Sequence, residues 1–201
     1  SALTEIWNGS SWTESGDLNQ ARYFCIASGG PSTAAIGVAG TTTTPVANTE
    51  LWNGSTWTET TDINTNRRGP NSNQPPASQT QILIYGGASP TIRAQTELWD
   101  GSSWTEVANV NSARVESGSS GATSTSALLF AASGGNDKTE FWNGSSWTEV
   151  GDLANGGQGP ASHIGPGAVN TFKAGGQPPA GMTNTVEEFT ADNALADITV
   201  S

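Results

Sequence analysis

The stretch Thr4-Glu-Ile-Trp-Asn-Gly-Ser-Ser-Trp-Thr-Glu14 decides the fold, because it returns as TELWNGSTWTE from Thr49, TELWDGSSWTE from Thr96 and TEFWNGSSWTE from Thr139. Asn-Gly or Asp-Gly between two strand-forming halves is a hairpin signal, since those residues accept the positive φ of a tight turn. With a loop of either two or four residues, strand parity puts both Trp of a copy on one sheet face, as opposed or diagonal partners. All eight Trp of the chain fall in these pairs: Trp7 and Trp12, Trp52 and Trp57, Trp99 and Trp104, Trp142 and Trp147. The apolar residue before each first Trp (Ile6, Leu51, Leu98, Phe141) then points to the other face, so the hairpin is built for burial on both sides.

Working outward, a degenerate fifth copy, TVEEFTADN, starts at Thr185, and the spacing from Trp7 through Trp52, Trp99 and Trp142 to Phe189 is 45, 47, 43 and 47 residues. A period of that size signals a repeat architecture. An arginine recurs in phase at LNQAR (Arg22), INTNR (Arg67) and VNSAR (Arg114), whereas the equivalent LANGG from Leu153 lacks it. An apolar run ending in a glycine step follows each time, at Gly40, Gly87, Gly135 and Gly176. No sustained helical period is present, and the Gly, Ser and Thr content opposes one.

Arginine, apolar strand closing on Gly, and paired aromatic hairpin in that order resemble kelch repeats of a β-propeller, over essentially the whole chain. The resemblance implies an all-β, kelch-like β-propeller: four complete four-stranded blades at 19–60, 61–107, 108–150 and 151–201, preceded by a half-blade at 1–18, all in one domain 1–201. Four and a half blades make an incomplete ring, so further repeats are expected upstream of Ser1. The Thr/Ser/Asn-rich style of the repeat looks most like kelch-type propellers of structural and tail-fibre proteins of marine bacteriophages. A WD-repeat reading fits less well, because Trp99-Asp100 is the same turn with Asp for Asn and has no Gly-His partner.

Composition bounds the chemistry. The chain of 201 residues carries 18 acidic against 7 basic residues, net charge −11, with one Cys and one His. A lone Cys25 closes no disulfide within the chain. The absence of a Lys/Arg cluster argues against nucleic acid and anionic membranes. The copper-oxidase chemistry of some kelch-type propellers needs two His and a Tyr cross-linked to Cys, and only His163, Tyr23, Tyr85 and Cys25 are on offer. His163 is read as structural or pore-facing, and Cys25, in the run YFCIA, as a small core residue within one strand. The eight Glu flanking the hairpins recur in every unit, unlike a catalytic carboxylate pair, which occurs once per site. No catalytic, cofactor or metal residues are assigned. Arg22, Arg67 and Arg114 are expected to pair with a repeat Glu or with backbone carbonyls. The sequons at Asn8, Asn53 and Asn143 are read as turn chemistry, since Asp100 replaces the Asn without disturbing the pattern.

Specific recognition is expected where the repeats differ, in the segments between the Gly step and the Trp hairpin. The candidates are Thr44 and Pro45, Ile92 and Arg93, Asp137 and Lys138, and Pro178 and Met182, all on connections expected to share one rim. These segments carry no aromatic residue, which weighs against tight glycan binding there. The expected function is a non-enzymatic structural or adhesin module of a virion fibre or extracellular appendage. Its partners would be neighbouring virion or appendage subunits, further copies of itself, or a host cell-surface glycan or protein, with neither nucleic acid nor membrane involved. An intracellular kelch adaptor for protein partners is the alternative, and a carbohydrate-active enzyme with its site in blades outside this chain is the third reading.

Overall fold

A computed structural model describes residues 1–29, 31–73, 79–162, 168, 170–190 and 197–200. Among them there is no helix; the chain forms five antiparallel sheets. The first is a two-stranded hairpin of β1 (Glu5–Trp7) and β2 (Trp12–Glu14). The next two are β3 (Ile26–Gly29), β4 (Ala35–Val38), β5 (Thr49–Trp52), β6 (Trp57–Glu59), and β7 (Asn71–Ser72), β8 (Ile82–Tyr85), β9 (Thr96–Trp99), β10 (Trp104–Val107). The last two are β11 (Gly118–Thr123), β12 (Ser126–Ala132), β13 (Asn136–Trp142), β14 (Trp147–Val150), and β15 (Ala161–Ser162), β16 (Asn170–Ala174), β17 (Val186–Thr190), β18 (Asp197–Val200). In each four-stranded sheet the strands pair in chain order, and the first strands neighbour one another from sheet to sheet: β3 beside β7, β7 beside β11, β11 beside β15.

The Trp loop has four residues, and the register places the two Trp of a copy directly opposite each other, as Trp52 to Trp57 and Trp99 to Trp104. Their rings tilt against one another with centroids 5.3 to 5.5 Å apart. Asn53 Oδ1 caps the turn by accepting from Ser55 N and Thr56 N at 3.0 Å, and Asp100 does the same for Ser102 and Ser103. The Gly, not the Asn, takes the positive φ, near 100° at Gly9, Gly54, Gly101 and Gly144.

The sheets stack face on face. The Trp face of one sheet (Ile82, Ile84, Trp99, Trp104) meets the opposite face of the sheet before it (Ile36, Val38, Leu51). The same pattern puts Trp142 and Trp147 against Leu83, Tyr85 and Leu98, and Phe189 against Leu128, Phe130 and Phe141. A hydrogen bond fixes each layer: Trp57 Nε1 donates to Thr4 Oγ1 at 2.8 Å, Trp104 to Thr49 and Trp147 to Thr96 at 3.1 Å. The first Trp of each complete hairpin instead donates to a backbone carbonyl within its own sheet, Ser32, Gln79 or Ser124.

The series stops at the last sheet. Register sets Ile198 opposite Phe189, where the other sheets pair two Trp. Thr139, the residue equivalent to the acceptors, is 1% exposed, and among the described residues its Oγ1 has no hydrogen-bond partner. At the opposite end, Trp12 of the first hairpin is 64% exposed, with no sheet stacked on its Trp face among the described residues.

Two sequence expectations need correction. The glycine step of the third unit is not at Gly135: Gly134 and Gly135 form the three-residue turn between β12 and β13, both at positive φ. The left-handed step equivalent to Ala39 and Gly86 is Ala131, at a bulge where the β12–β13 register shifts. Tyr23 to Cys25 is not one strand either. Phe24 adopts φ 53°, which breaks the extended run, so that β3 begins only at Ile26 and Tyr23 makes an isolated bridge to Thr41. Cys25 is half-buried.

Candidate functional site

The repeat-bearing charges turn inward. Arg67 Nη2 binds Glu97 Oε1, its Nη1 donates to the carbonyls of Gln95 at 2.8 Å and Gly86 at 3.2 Å, and its Nε donates to Thr65 O at 3.2 Å. Arg114 repeats this with Glu140, Lys138 O and Ser112 O, and Arg22 binds Glu50 Oε1 at 2.5 Å. The second carboxylate oxygen is also used. Asn19, Asn64 and Asn111 each donate both backbone N–H and Nδ2 to it at 2.7 to 2.8 Å. The arginines and their Glu partners are buried, and burial pulls the Arg67 and Arg114 guanidinium groups below their ordinary range while the partner carboxylates pull them back.

The fourth unit has Gly157 where the arginine would stand, yet Glu187 is still buried and paired. Lys173 supplies the cation from β16, directly across from Glu187, with its Nζ 3.7 Å from the carboxylate and 2.9 Å from Asn155 O. Sequence phasing overlooked this, because the charge moved from the leading segment to the second strand; a lone Lys in an apolar run was the available signal.

The variable residues divide. Arg93 donates to its own loop at Ser89 O, and Pro45 O accepts from Asn66. Asp137 and Lys138 are not in a loop: they lie within β13, because the short β12–β13 turn leaves no connection there. Lys138 pairs with Glu149 at 3.0 Å and Asp152 at 2.6 Å, and these carboxylates raise its pKa. Thr44 and Ile92 are exposed, on short excursions bridged back at Thr41–Pro45 and Ala88–Ile92. Pro178 borders a shallow hollow with Gly134, Gly135 and Gln158. His163 lies outside the described residues.

Met182, 92% exposed, lines something larger: an open cavity of about 510 Å³ shared by three units, with Phe24 from the first, Glu116 from the third, and Gln158, Gln177 and Thr183 from the fourth. The residue two after each repeat arginine, or its equivalent, takes left-handed backbone in all four units: Phe24 at φ 53°, Gly69 at 56°, Glu116 at 59° and Gly159 at 59°. Neighbouring units are tied there by Gly69 N to Phe24 O at 2.8 Å and Gly159 N to Glu116 O at 2.9 Å. Glycine adopts this conformation freely, whereas a side chain costs about 1–2 kcal/mol. Two units therefore carry strain that the other two avoid.

Phe24 and Tyr23 are 53% and 57% exposed, in ring contact at 5.1 Å, with Arg68 over the Phe24 ring at 5.7 Å. The segments between the glycine step and the Trp hairpin carry no aromatic residue, and the ring at the cavity, Phe24, comes instead from the segment after the arginine. Among the described residues no three His, Cys, Asp or Glu side chains group as metal ligands. A scan against protein-family models matches none, and a search of curated proteins finds no significant relative.

Proposed function

We propose that the chain is a kelch-type β-propeller of four complete blades and a leading half-blade, serving as a non-enzymatic structural or adhesin module of a virion fibre or extracellular appendage. Support for the propeller reading comes from sheets that pair in chain order, from first strands that neighbour one another, and from the same Trp-to-Thr bond joining successive layers. One observation carries the functional reading. The interior repeats nearly bond for bond, with the Glu carboxylates spent on Arg or Lys and backbone, while the left-handed position beside the shared cavity varies, as Phe24, Gly69, Glu116 and Gly159. A rigid repeated scaffold with variation confined to one rim suits recognition rather than catalysis. Weak contacts repeated over many copies on an appendage would give avidity that a single site lacks.

Immunogold electron microscopy of native particles and of the producing cells, using antibodies to this chain, tests the reading. Label along fibres or appendages is expected. Label confined to the cytosol would overturn it in favour of the intracellular adaptor.

A further inference from the structure

We infer that the cavity bordered by Phe24, Glu116, Gln158, Gln177 and Met182 is a binding site for a neutral hexopyranose-type saccharide. The inference deepens the rim-recognition reading above and rests on it. Three observations meet at this place. The volume, about 510 Å³, falls within the roughly 300–1,000 Å³ of small-molecule sites. Phe24 keeps a bulky ring on left-handed backbone at a position where two of the four units use glycine. Strain of that kind persists when something other than folding requires the side chain. The ring is also not used for the core: it stays half in solvent beside Tyr23.

The chemistry selects the ligand class. The polar side chains around the ring are mostly planar and two-pronged: the Glu116 carboxylate, the Gln158 and Gln177 amides, and the Arg68 guanidinium over Phe24. Such groups take adjacent hydroxyls in pairs, donating or accepting as required. One carboxylate and one guanidinium, neither in a salt bridge among the described residues, leave the local charge balanced, which favours a neutral ligand over an anion or a cation. An aromatic ring beside them offers a flat apolar surface to the C–H face of a sugar, and Met182 adds an adaptable apolar contact.

The chain has a single methionine, so a protein labelled with ¹³C-methyl methionine gives one reporter signal, at the cavity. Titration with glucose, galactose, mannose and N-acetylglucosamine should shift that signal saturably with at least one sugar. Phe24→Gly should fold, since glycine suits its backbone, and should weaken the response about tenfold or more, a loss of one decade in affinity. No shift with any of the four sugars, or an unchanged response in folded Phe24→Gly, overturns the assignment. If gold label lies on appendages and no sugar moves Met182, the saccharide assignment falls and the appendage reading stands. If a sugar moves Met182 and the label is cytosolic, the site stands and the appendage reading falls.

Discussion

Arg67 and Glu97 form a buried pair in which neither partner depends on the other alone: the guanidinium also holds the carbonyls of Thr65, Gly86 and Gln95, and the carboxylate also holds both donors of Asn64. Breaking a buried pair from one side leaves an uncompensated charge, so Arg67→Met should cost about 3–5 kcal/mol. Arg67→Met with Glu97→Leu removes the stranded charge but strips Asn64 of an acceptor and the carbonyls of Thr65, Gly86 and Gln95 of their donor, leaving a deficit of about 1–3 kcal/mol. Urea denaturation of both variants checks this; full recovery in the double variant would show that these bonds contribute nothing.

The Trp-to-Thr bond between layers can be tested by removing its donor. Trp104→Phe keeps the ring in place but leaves Thr49 Oγ1 unpaired in a fully buried position, at a cost of about 1–3 kcal/mol. Thermal unfolding checks this; a melting temperature unchanged in Trp104→Phe would show that the bond between layers contributes nothing.

Asp100 predicts a pH dependence. Four hydrogen bonds from Ser103 and Ser102, the Ser103 backbone N–H first, lower its pKa from 3.8 to about 2. A carboxylate whose folded pKa is depressed contributes stability that is complete above the unfolded value and is lost as pH falls through the folded one. The wild-type melting temperature should therefore lose this contribution between about pH 4 and 2. Asp100→Asn, which reproduces the turn of the other three copies, should lack that component. Identical acid profiles for the two proteins would contradict it.

At Phe24 the backbone itself can be tested apart from any ligand. Phe24→Gly and Phe24→Ala both remove the ring, but only glycine relieves the left-handed strain, so the Gly variant should be the more stable by about 1 kcal/mol. Equal stabilities would mean that the segment relaxes out of φ 53° once the ring is gone.

Much of this was legible because a repeat states each rule several times. Asn-Gly between two Trp specifies a hairpin at every occurrence, and Asp100 showed that the side-chain oxygen, common to both residues, is what the turn uses. The recurring Arg and Glu announced a structural role by recurring. Single events were harder to read. Lys173 replaces an arginine from a different strand, and its relation to Glu187 exists only through cross-strand register. Cys25 read as core because it lies in the apolar run Tyr23 to Ala27, and nothing local to that run reveals that the backbone turns left-handed at Phe24.

The sequence by itself determined the all-β class, the hairpins and the one-face pairing of the Trp, since periodicity and turn residues act within a few positions along the chain. Only the tertiary structure decided which residues meet at the cavity. Phe24, Glu116 and Met182 stand 92 and 66 positions apart in succession, and their shared cavity depends on how successive sheets stack. That stacking is set by the sum of the layer contacts, so the cavity is a property of the assembled units and of no single one.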